Sequence, residues 1–401
     1  MPYLHRKFLP LALFMAAALV SALFPDTPGE SPRDTFQRGW KLLEAWRFRE
    51  AWPLIAKAAQ AQPQNGHYRY WHLNLATWMG MQALATNDHA AARSYFHTAL
   101  ALKTAGNNTN SDTQLVFLRR FAAITEEHAG YRTIPPEYVH KVQVIYLLKT
   151  DLTDTTNMKG QPVACRGRIT TNQIRHLALE QELLRVYVET LSRGKLSLHF
   201  DRRAVDTTVR RAWIYVPDPV TTKYRPDFEG CDPGIGTLLF AGRNKYDARF
   251  YYWYRHPLHV MAFANGATHG YIPYAMSAPV SRGSVVMPLG GEGKAPTALV
   301  RFPYHWVLFH EFFHNIERIV GGIRPVHAHT VIPEARRACP EWQPDLNPAW
   351  TATEYSWYRH HFHTTVPKRL EELARKTGLW PPWRNCSWLL REPDPDRKSV
   401  V

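Results

Sequence analysis

The chain is short of cysteine, with four in 401 residues and none before Cys165. Close Cys pairs are missing altogether, which argues against a Cys-rich structural zinc site. Acidic residues are also scarce, 34 against 49 basic ones, for a net charge of +15. Such a surplus favours anionic partners: cell-surface polymers, acidic proteins, lipid headgroups or nucleic acid. The basic pairs Arg119-Arg120, Arg202-Arg203, Arg210-Arg211 and Arg336-Arg337 are scattered, and no nucleic-acid motif accompanies them. They read as solvated surface, and no nucleic-acid partner is expected. What is plentiful is apolar and aromatic: 45% hydrophobic residues and 14 tryptophans, a globular composition with large cores or clefts.

His5, Arg6 and Lys7 precede the apolar run Phe8 to Phe24. A basic start followed by such a run predicts a secretory signal over 1–24, with Val20-Ser21-Ala22 as a small-residue cleavage site. The run is also just long enough for residues 8–24 to act as an uncleaved membrane anchor. Both readings put the rest of the chain outside the cytoplasm. Behind an export segment, Cys165, Cys231, Cys339 and Cys386 are expected to form disulfides, with three possible pairings.

Residues 33–130 read as helical and repetitive. Gly39, Ala51, Ile55 and Ala58, followed by Pro63, recur as Gly80, Ala92, Phe96 and Ala99, 41 positions later. An insertion in the stretch QNGHYRYW would account for the excess over a 34-residue period. A third helix is expected at Thr113 to His128, and Pro135-Pro136 marks a boundary within Tyr131 to His140. Beyond it, strands are expected at Val142–Leu148, Lys195–Phe200, Ala212–Val216, Thr237–Ala241 and Ser284–Met287. Thr171–Arg193 reads as a long helix ended by Gly194, Asp218–Asp232 as a loop, and Tyr251–Tyr254 as an aromatic core cluster. The expected fold class is α+β: an all-α helical-hairpin domain, then a mixed domain over 140–395.

The stretch PYHWVLFHEFFHNIERIV carries the chemistry. Phe309, Phe312, Phe313, Ile316 and Val320 follow helical spacing and form an apolar stripe. His310, Glu311 and His314 spell H-E-x-x-H. Positions four apart share a helix face, so both imidazoles can reach one zinc ion (Zn2+) while Glu311 reaches a water on it as general base. Catalytic zinc takes three protein ligands and keeps one position open. Glu317 stands too far along the axis to complete the set.

These residues resemble the zinc-binding helix of the zincin metallopeptidases, and the order of elements from about 140 to 365 resembles the upper half of that fold. In that comparison Gly283–Leu289 takes the role of a strand that pairs with extended substrate. The metzincin subgroup is a poor match: Glu317 and Val320 stand at its Gly and third-His positions, and no methionine follows Met287. The gluzincin subgroup draws its third ligand from a glutamate on a later helix. That comparison favours Glu354, on a helix started by Asn347 and Pro348, over Glu334. Glu341, His327 and His329 are further alternatives. Tyr358 or His361 would then stand near the oxyanion. The repeats over 33–130 resemble tetratricopeptide hairpins, which implies a protein partner.

The function expected from this resemblance is zinc-dependent hydrolysis of a peptide or protein substrate. A non-catalytic tetratricopeptide-type binding protein and a zinc hydrolase acting on an anionic envelope polymer are the alternatives.

Overall fold

The computed structural model describes residues 30–105, 113–136, 138–152, 165–210, 212–216, 223–226, 246, 248–255, 283–290, 308–309, 312, 332–344, 355–360, 362–363 and 375. The expected signal or anchor (1–24) and the strand at Thr237–Ala241 lie outside them. Among the described residues, eight helices and seven strands make a mixed α+β fold.

Helices α1 (Pro32–Glu44), α2 (Phe48–Ala61), α3 (Gly66–Ala85), α4 (His89–Thr104) and α5 (Thr113–Tyr131) come first. Their starts are encoded locally. The side chains of Ser31, Asn65 and Asp88 accept hydrogen bonds from the first backbone N–H groups of α1, α3 and α4. The repeat seen in sequence is a repeat of packing. A Cβ on Gly39 would stand 2.9 Å from Ile55 Cδ1, and one on Gly80 would stand 2.7 Å from Phe96 Cε1. In both hairpins the bare glycine backbone therefore receives the side chain sixteen positions on. The alanines at Ala51, Ala58, Ala92 and Ala99 are fully buried beside it. Seven residues of α1 precede Gly39 and fourteen of α3 precede Gly80, so the insertion forms extra turns at the start of α3.

His72 sits inside this helical layer, 5% exposed, with its ring 4.9 Å from that of Trp52. Burial lowers its pKa from 6.5 to about 4. The unfolded chain therefore takes up a proton before the folded one does. The stabilisation is complete above pH 6.5 and is lost as pH falls toward 4, about 3 kcal/mol in all. Thermal melts from pH 7 to 4 should show this loss in the wild type and a shallower one in His72→Leu.

The sheet is built around β1 (Tyr138–Leu152). Strand β3 (Leu196–Val209) lies parallel along one edge of β1 from Tyr138 to Thr150. On the other edge, β6 (Ala248–Arg255) pairs in parallel with Val142–Leu147. Strand β2 (Cys165–Arg168) pairs antiparallel with Lys149–Leu152. Because β3 occupies the first edge as far as Thr150, β2 must follow β6 end to end on the second. A Cβ on Gly167 would fall 2.0 Å from Tyr254 Cε1, which reflects that junction. Strand β7 (Gly283–Gly290) continues the parallel sheet outside β6. It runs on through Pro288, beyond the Met287 end expected from sequence. A separate hairpin joins β4 (Ala212–Val216) to β5 (Lys223–Pro226). The expected loop Asp218–Asp232 thus contains a strand.

Helix α6 (Thr171–Leu191) links β2 to β3. A capping box of Thr170 and Gln173 starts it. Arg193 and Gly194 end it with positive φ values of 55° and 78°, and the Gly194 N–H closes back on Glu189 O. Val142, Val144 and Tyr146 of β1, and Phe250 and Tyr252 of β6, share one buried cluster with α6 and with α1–α5. Ile145, Leu147, Tyr251 and Trp253 are buried as well, so both faces of the central strands are covered, as parallel sheets require. Helix α7 (Ile332–Ala338) and helix α8 (Tyr355–His360) complete the described elements. No described helix is long and apolar enough to cross a membrane.

Candidate functional site

His310, Glu311, His314 and Glu354 lie outside the described residues, as do His327, His329 and His361. Their immediate neighbours are described, and these define where the motif is anchored. Leu308, Phe309 and Phe312 have helical backbone and are 0%, 3% and 1% exposed. The apolar stripe read from sequence is thus buried at the positions that can be compared. Phe309 meets Tyr187 of α6 edge-on at 5.4 Å between ring centroids. Phe312 meets His140 of β1 at 5.6 Å and Phe250 of β6 at 6.4 Å, both nearly perpendicular. The motif turn therefore sits beside α6, on the same face of the sheet.

Helix α8 packs on the motif turn from the other direction. Tyr358 stands at 90° to Phe309 with centroids 4.7 Å apart, and Tyr355 lies 6.3 Å from the same ring. The residue after Glu354 is thus in the layer around Phe309. Helix α8 is held there from several sides. The Arg120 guanidinium lies 5.4 Å over the Tyr355 ring. Arg359 pairs with Glu127 of α5 at 2.9 Å. His363 Nε2 is 2.8 Å from Leu191 O at the end of α6, and burial, the largest influence, lowers the His363 pKa. Tyr358 is only 1% exposed, so its ring belongs to the core.

The opposite side of α8 faces α7. Trp357 is fully buried and meets Trp342 at 4.8 Å, while Trp342 Nε1 donates to Ser356 Oγ at 3.2 Å. His360 stacks on Trp357, and its Nε2 is 3.5 Å from Glu341 Oε1. Glu334 is exposed on α7. Of the three candidate glutamates, then, Glu341 is engaged on the far side of α8 and Glu334 points to solvent. Glu354 is next in sequence to a residue that packs with the motif turn.

Comparison with protein-family models, curated proteins and solved structures finds no match.

Two groupings were invisible in the sequence. One is buried between the helical layer and α6. Glu189 accepts from His128 Nε2 at 2.6 Å and from Arg185 Nη1 at 2.7 Å, and also from Ser197 Oγ. Burial alone would push the Glu189 carboxyl up, but these donors hold it below the usual range. A carboxylate only accepts, so His128 Nε2 carries the proton. In neutral His128, Nδ1 accepts from His89 Nε2 at 2.8 Å. Arg185 also donates to Ala85 O and Asn87 Oδ1, tying α6 to the turn after α3. The other grouping is Cys339, Glu341 and His360. The basic pairs are also less uniform than expected. Arg202 bonds Gln181 and Glu182 and lies 5.0 Å over Phe200, and Arg120 covers Phe117 and Tyr355, so these two arginines are structural.

Proposed function

We propose that this chain is an exported zinc peptidase of the zincin type, with His310, His314 and Glu354 as metal ligands and Glu311 as general base. The single observation that carries the reading is the burial of Leu308, Phe309 and Phe312 in the motif turn. At about 100° per residue, positions 308, 309 and 312 span one arc of a helix, and positions 310, 311 and 314 span the opposite arc. A helix that buries the first set on the sheet turns the second set away from it. Two imidazoles and a carboxylate are a donor set suited to catalytic zinc.

Bound zinc would supply Lewis-acid polarisation of the scissile carbonyl and a water whose pKa falls from 15.7 to about 7. Glu311 would serve as the general base, its carboxylate accepting a proton from the attacking water and passing it to the leaving nitrogen. His361 is the remaining candidate for a hydrogen bond to the oxyanion, because Tyr358 is packed in the core. Strand β7 has one edge along β6, and among the described residues nothing pairs with its other edge, which suits an extended peptide. The hairpins α1–α2 and α3–α4 are read as tetratricopeptide-like, on the matching Gly39 and Gly80 contacts.

The docking of α8 favours Glu354 as third ligand. Glu354→Gln is expected to weaken both zinc binding and peptide hydrolysis, and Glu334→Gln to leave both unchanged. Zinc titration and a peptide assay on the two variants check this. Loss of zinc from Glu334→Gln alone would move the third ligand to α7.

A further inference from the structure

We propose that Cys339, Glu341 and His360 form a second metal site, separate from the motif, that takes a zinc-like divalent transition ion and clips α7 to α8. Their donor atoms, Sγ, a carboxylate oxygen and an imidazole nitrogen, all lie within 4.8 Å of one another. Ligand atoms around a tetrahedral zinc are about 3.3–3.6 Å apart, given bonds of about 2.0–2.3 Å. The Glu341 Oε1 to His360 Nε2 separation of 3.5 Å already has that value. Closing the set takes a shift of about 1 Å in the Glu341 side chain or the thiol. Glu341 has the freedom for it, being 65% exposed, and Cys339, expected from sequence to form a disulfide, is instead a thiol.

The frame that holds these groups is stiff. Cys339 N–H donates to Ala335 O, and Trp342 N–H donates to Cys339 O at 3.0 Å. Cys339, Pro340, Glu341 and Trp342 thus form a closed turn with proline at its second position. One turn therefore presents two ligands. The third comes from α8, whose position against the turn is set by the Trp342–Trp357 contact and the Trp342–Ser356 hydrogen bond. The His360 ring, 10% exposed, is oriented by stacking at 25° on Trp357. Thiolate, imidazole and carboxylate together suit zinc over magnesium or calcium, which take oxygen ligands. The exposed side of Glu341 leaves the fourth position to water. A metal here would brace α8 from the side opposite Phe309.

The test is cobalt titration of the metal-stripped full chain, read by the near-ultraviolet thiolate-to-cobalt charge-transfer band. The motif site contains no thiolate, so the band cannot come from it, and Cys339→Ser separates this site from the other three cysteines. The band is expected at one equivalent in the wild type and also in the His310→Ala/His314→Ala double variant. It should vanish in Cys339→Ser, and Glu341→Gln, an exposed change that leaves the core intact, should weaken cobalt binding at least about 10-fold. A wild type without the band, or a Cys339→Ser variant that retains it, overturns the proposal without bearing on the peptidase reading.

Discussion

Glu311→Gln is expected to keep its zinc and its melting temperature while losing peptide hydrolysis by about 10²–10⁴-fold, the usual worth of general-base help. Glutamine preserves size and polarity but cannot accept the proton of the attacking water. The two imidazoles are untouched, so metal affinity should be near that of the wild type. The burial of Leu308, Phe309 and Phe312 sits on the other helix face, so folding should be unaffected as well. Zinc content, thermal melting and hydrolysis measured together separate the outcomes. A variant that hydrolyses peptide at the wild-type rate would remove Glu311 from the mechanism, and one that unfolds would make it structural.

The second large effect concerns the polar cluster under α6. Glu189→Ala removes the acceptor shared by His128, Arg185 and Ser197, and leaves a cationic Arg185 in a largely buried position. Breaking a buried charged pair in this way costs about 3–5 kcal/mol. Arg185 keeps Glu182 as a partner at 2.8 Å, which places the expected loss near the lower end, about 3 kcal/mol. The folded-state pKa of Glu189 is lowered, so its contribution is present above the unfolded carboxyl value and is lost as pH falls through the folded value. Denaturant titrations at pH 7 and in acid should therefore show the gap between wild type and Glu189→Ala narrowing only once pH falls below the ordinary carboxylate range. The His72 effect lies at higher pH and is distinguishable. An equal gap at all pH values would contradict the charged state assigned to Glu189.

Local patterns carried much of the fold. The apolar spacing over Thr171–Arg193 and the stop at Gly194 delimited α6 within a few residues, because periodicity and helix ends are properties of neighbouring residues. The 41-residue recurrence pointed to the Gly39 and Gly80 contacts for the same reason. Strand β5 was hidden because Lys223–Pro226 lies in a Pro-, Gly- and Asp-rich stretch, and only its pairing with β4 makes it a strand. Strand β7 continues through Pro288, since it is an edge strand among the described residues and edge strands tolerate proline. At the candidate site, the orientation of the motif turn was legible from the phenylalanine spacing. The docking of α8 was not. It depends on Arg120, Glu127, Tyr187 and Leu191, contributed by helices far away in sequence. The His89–His128–Glu189 chain and the Cys339–Glu341–His360 group were illegible on the same physical ground, since tertiary packing alone brings them together.

The central claim is that the H-E-x-x-H residues hold a catalytic zinc. Metal content of the purified chain, by elemental mass spectrometry alongside peptide hydrolysis, tests it most directly. His310→Ala and His314→Ala should each lose one equivalent of zinc relative to the wild type, together with the hydrolytic activity. Full zinc occupancy in both variants, or undiminished hydrolysis in either, would contradict it.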